Sequence, residues 1–93
     1  MVSIRMEDQM SIDTIYAKAV EKLAQDKGLD IRKLAHDTLN LSSQDVSIRE
    51  FKRVIRPDAQ GRKRELSLRE AYEFSRALGE TVETVIALGM RFI

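Results

Sequence analysis

The chain has 93 residues, 33% of them charged, with 16 Lys and Arg against 15 Asp and Glu and a formal net charge of +1. Cysteine is absent and histidine occurs once, which excludes disulfide staples, thiolate nucleophiles and an ordinary zinc cluster and leaves packing to hold the fold. A chain this short is one small domain near the lower limit of a self-sufficient core, so an oligomer is expected; no apolar run could span a membrane and the start, MVSIRMEDQM, lacks signal-peptide features, which points to a cytoplasmic protein.

Residues 1–10 read as an N-terminal arm or short strand, because VSIRM at 2–6 alternates apolar and polar. From residue 11 to 93 the pattern is helical. Ile12, Ile15, Tyr16, Ala19, Val20, Leu23 and Ala24 recur at i, i+3 and i+4, with Ser11 or Asp13 as the cap and Gly28 beyond the end. A second helix follows, capped by Asp30, turning Leu34, Ala35 and Leu39 inward and closed by Asn40.

The third helix lies between Ser42 and Arg56 and has two possible starts: Ser42 or Ser43, or Ser47, whose SIRE sequence is a capping box with Glu50. Either start gives an apolar face of Ile48, Phe51, Val54 and Ile55 and a basic one of Arg49, Lys52, Arg53 and Arg56. Pro57 stops it, PDAQG is turn chemistry with Gly61 suited to positive φ, and the tract Arg62, Lys63, Arg64 comes next. From Arg49 to Arg64 seven cations face two anions, a net +5 that leaves −4 for the remainder. A basic patch on a mildly acidic body is the footprint of a polyanion-binding face, although a solvated charge run has the same composition.

The fourth helix opens with a second capping box, SLRE at Ser67 to Glu70, carries Leu68, Ala71, Tyr72, Phe74, Ser75 and Leu78, and ends at Gly79. Thr81 caps a fifth with Val82, Val85 and Ile86 inward. Beyond Gly89 the apolar residues Met90, Phe92 and Ile93, with Leu88 before them, have no further chain to cover them and are the candidate dimer interface.

For catalysis the inventory is poor, with no nucleophile motif, no metal-ligand spacing around His36 and no phosphate-cradling glycine loop; an enzyme, a cofactor and a metal site are not expected. For binding it is richer. Arg and Lys suit guanine edges and phosphates, and Gln44 suits adenine, while Ser43, Gln44 and Ser47 serve equally well as ordinary helix-start residues.

Three stretches resemble the lambda-repressor-like helix-turn-helix family, which includes the Cro/CI repressors and XRE-type regulators: GLDIRKLA at Gly28 to Ala35, NLSSQDVSIRE at Asn40 to Glu50, and SLREAYEFSRALGETVETVI at Ser67 to Ile86. The resemblance implies an all-α, five-helix DNA-binding bundle with a helix-turn-helix that binds double-stranded operator DNA as a homodimer and acts as a phage or bacterial repressor; the alternation at 2–6 leaves short terminal strands as an option. Ile31 stands where the family places a glutamine, Asn40 replaces the turn glycine with one extra residue before it, and the link after the third helix is several residues longer. The family match makes Ser43, Gln44 and Ser47 the base-reading end of the third helix, whereas the second capping box favours Arg49, Lys52 and Arg53. Phosphate contacts would come from Arg56, Arg62, Lys63 and Arg64. Two other functions fit the same fold: an antitoxin that binds its operator and a toxin, and a module that binds a protein or RNA.

Overall fold

The computed structural model describes residues 11–91, so the strand expected at 2–6 and the candidate interface residues Phe92 and Ile93 lie outside the described residues. Those residues form five helices and no strand: α1 (Ile12–Asp26), α2 (Ile31–Leu39), α3 (Gln44–Ile55), α4 (Leu68–Leu78) and α5 (Val82–Met90).

Each start is fixed by a side chain that meets an otherwise unpaired backbone N–H. Ser11 accepts from Thr14, Asp30 from Arg32, Ser43 from Val46, Ser67 from Glu70 and Thr81 from Thr84. At α4 the bond is reciprocal, since the Glu70 carboxylate accepts the Ser67 N–H at 3.0 Å. The third helix therefore begins after Ser43, and the alternative box at Ser47 is not used. Asn40 closes α2 in the left-handed region at φ 53°, and Gly79 closes α4 likewise. Arg56 leaves α3 in an extended conformation, as the residue before Pro57 must.

α1 is the central helix and packs against each of the other four. That position buries a wider arc than a surface stripe would, adding Thr14 and Ala17 to the expected core residues. The Thr14 hydroxyl donates to the Val54 carbonyl at 2.9 Å, and the Tyr16 hydroxyl meets the Ala71 carbonyl and, at 2.6 Å, the Ser75 hydroxyl. Burial raises the Tyr16 phenol above its ordinary pKa, a rise partly offset by its contact with Ser75. Around α1 the core is closed by Phe51 and Phe74, both fully buried, whose tilted rings lie 5.2 Å apart.

The last two helices add detail that the residue pattern left open. Leu68 and Tyr72 face solvent, because α4 turns Ala71, Phe74, Ser75 and Leu78 inward and Tyr72 is rotated about 100° from Ala71. The fifth helix continues through Gly89 to Met90. Gly89 is buried against α1, where a Cβ would stand 2.6 Å from the Ile15 carbonyl oxygen, so only glycine allows the two backbones to come this close.

Candidate functional site

Ser47, Phe51 and Val54, at i, i+4 and i+7, are the fully buried side of α3. The opposite side is a solvent-facing stripe of Asp45, Arg49 and Lys52, continued past the helix end by the exposed Arg56. Gln44 is exposed at the first turn. Asp45 is met by the Arg32 guanidinium from α2, an ion pair that spans the short link 40–43 and balances the one anion of the stripe. Neither Arg32 nor Asp45 was legible as a site residue, because the pair joins two helices across a turn whose path the residue pattern does not specify.

Ser47 does not belong to the exposed set. It is fully buried, with its hydroxyl 3.2 Å from His36 Nδ1, and so joins α2 to α3 instead of facing outward. Its spacing with Phe51 and Val54 was the available signal. Ser43 is exposed, but its hydroxyl accepts the Val46 N–H.

The segment after α3 folds into a tight turn. The Gly61 N–H donates to the Asp58 carbonyl at 2.9 Å, and the Asp58 N–H donates to the Arg62 carbonyl at 3.0 Å; Gly61 supplies the positive φ that this closure requires. The Asp58 carboxylate accepts the backbone N–H groups of Arg62 and Gln60 and the Arg62 guanidinium. The Arg62 backbone bond is the largest of the influences that hold Asp58 below the usual carboxylate range.

The basic residues from Arg49 to Arg64 therefore do not form one patch. Arg53 is turned inward, its side chain 22% exposed, with Nη1 2.7 Å from Glu50 and Nε 3.6 Å from Asp58. Arg64 is likewise 23% exposed and paired with Glu70 at 3.0 Å and Glu50 at 3.7 Å. The carboxyl of Glu70 is pushed up by partial burial, but the Arg64 guanidinium and the Ser67 N–H outweigh this and hold it below its ordinary value. Arg62 extends outward, 68% exposed, from its pair with Asp58, whereas Lys63 reaches the other way to the Ser11 hydroxyl at 3.1 Å. Five cations remain turned to solvent: Arg49, Lys52, Arg56, Arg62 and Lys63. Three of them, Arg49, Lys52 and Arg56, line a shallow concavity of about 350 Å³ together with Ile48, Arg53, Pro57 and Asp58.

A second surface lies between the N-terminal ends of α1, α4 and α5. It is an apolar groove of about 180 Å³, lined by Ile12, Tyr16, Leu66, Ala71, Val82 and Ile86 and overhung by Leu68, which is 87% exposed. Met90, exposed one turn beyond Ile86, extends this surface. Leu88 does not: on a continuous helix two residues are separated by about 200°, so Leu88 is half-buried on the opposite edge of α5 from Met90. The expectation that both belong to one apolar end is thus corrected. Among the described residues no helix is long and apolar enough to cross a membrane, and no three His, Asp or Glu side chains are gathered to hold a metal.

Comparison with protein-family models, with curated proteins and with solved structures finds no match to this chain.

Proposed function

We propose that the chain is a sequence-specific DNA-binding transcriptional regulator of the lambda-repressor-like helix-turn-helix type, a phage or bacterial repressor that binds operator DNA as a homodimer. The carrying observation is the two-sided α3: one side fully buried in the core, the other an outward stripe of Arg49, Lys52 and Arg56 with Gln44 at its exposed first turn. A helix held rigidly by one face and cationic on the other suits the major groove, where Arg and Lys meet guanine and phosphate and Gln meets adenine. The start after Ser43 favours the register in which Gln44 leads and Arg49 follows on the same helix, with Arg62 at the far end on the backbone. The segmental resemblance to the repressor family supports the same reading.

Dimerisation would use the apolar groove and Met90, since burying Ile12 and Leu68 on two copies at once removes from water the two most exposed large apolar side chains among the described residues. A pair of α3 helices then meets successive major grooves about 34 Å apart. The same groove also suits a different protein, which keeps the antitoxin reading as the second choice.

The test is titration of the full chain into random duplex DNA, duplex RNA and an acidic polypeptide at several salt concentrations. The proposal expects duplex DNA to bind best, with a dissociation constant of roughly 10⁻⁴ to 10⁻⁶ M at physiological salt and a steep salt dependence. Preferential binding of RNA or of the acidic polypeptide contradicts it.

A further inference from the structure

Arg53 and Arg64 have the composition of DNA contacts and the geometry of struts. The Arg53 guanidinium reaches Glu50 on its own helix at 2.7 Å and the Arg62 carbonyl at 3.3 Å, so it ties α3 to the far side of the following turn. The Arg64 N–H returns to the Arg53 carbonyl at 3.2 Å, and its guanidinium takes both Glu70 oxygens, at 3.0 and 3.3 Å, in a fork that reaches α4. Glu50 Oε1 serves both arginines. The cluster joins two cations to three anions, so it adds no attraction for phosphate. What it provides is a fixed path for the segment between Pro57 and Arg64.

We propose that Arg53 and Arg64, through Glu50, Asp58 and Glu70, are positioning residues that hold the 57–64 turn rigid so that Arg62 is presented to the nucleic-acid backbone in line with the α3 stripe. The inference rests on the DNA-binding reading for its functional consequence and on the contacts alone for the rigidity. Without the struts the turn samples many paths, and binding weakens toward that of a chain lacking the Arg62 contact. Such a loss is opposite in sign to plain electrostatics: deleting an anion beside a cationic face makes that face more attractive to phosphate.

The experiment compares the wild-type chain with Asp58→Ala, Glu50→Gln and Arg53→Lys on one duplex at 0.1 M salt, with far-UV circular dichroism to verify folding. Each variant should bind more weakly, by at most the roughly eightfold that one lost phosphate contact costs at 0.1 M salt, and Asp58→Ala should add nothing once Arg62→Ala is present. Arg53→Lys conserves charge while removing the guanidinium that reaches Glu50 and the Arg62 carbonyl at once, so its weakening cannot come from net charge. Hydrogen exchange supplies a readout without DNA: the Arg62 and Arg64 amides should exchange faster in Glu50→Gln than in wild type. Unchanged exchange, or unchanged or tighter binding by the two anion-deleted variants, overturns the positioning role. A wild-type chain that shows no duplex affinity while the variant amides lose protection overturns the DNA-binding reading and leaves the struts standing.

Discussion

Replacing Arg49, Lys52 and Arg56 together with alanine isolates the α3 stripe. All three side chains are exposed and, among the described residues, none forms an ion pair, while alanine is the best helix former, so α3 and its buried Ser47, Phe51 and Val54 should persist. If each of the four outward cations other than Lys63, which reaches to Ser11, neutralises one phosphate, the logarithm of affinity falls against the logarithm of salt with a slope of about −3.6, at about 0.9 per contact. Lowering salt from 200 to 50 mM then tightens wild-type binding about 150-fold. With Arg62 alone left the slope is about −0.9 and the same change gives about 3.5-fold, a difference of about 40-fold. Fluorescence anisotropy with a labelled duplex across four salt concentrations measures both slopes. A variant slope within about half a unit of wild type would refute the assignment of the stripe to phosphate or groove contact.

Gly89→Ala should destabilise the fold by about 1 to 3 kcal/mol in a urea titration despite alanine's better helix propensity, because the new methyl meets the Ile15 backbone. Ser67→Ala removes the cap and one half of the α4 box and should cost about 1 kcal/mol by the same measurement. Glu70 titrates below its ordinary value of 4.5, so its stabilising contribution is complete above the unfolded pKa and is lost as pH falls through the folded one; Glu70→Gln should flatten the acid limb of stability below about pH 4.5 and leave the neutral-to-basic profile parallel to wild type. Leu68→Asp, on the rim of the apolar groove, should shift a dimer toward monomer in sedimentation with little change in melting temperature, and an unaltered dimer would remove that face from the interface.

The helices were legible because their punctuation is local. Ser11, Asp30, Ser67 and Thr81 each act on an N–H within three residues, and Asn40 and Gly79 terminate helices through their own φ. Several of the features missed depend on chain segments meeting from a distance. Gly89 reads as a terminator until α1 is placed against it. Arg53 and Arg64 read as part of one basic run until the turn brings Asp58 and Glu70 to them. Ser47 is the exception, since its helical spacing with Phe51 and Val54 already assigned it to the core side. Its value as a cap candidate obscured that.

Specific recognition of operator DNA is tested most directly by selecting bound sequences from a random duplex pool with the full-length chain. A two-sided α3 carried on a dimer predicts enrichment of an inverted repeat whose half-site centres are about one DNA turn apart, and a Gln44→Ala variant that loses preference at one position of each half-site. A pool that returns unenriched, or a preference that Gln44→Ala and Arg49→Ala both leave unaltered, would contradict the account.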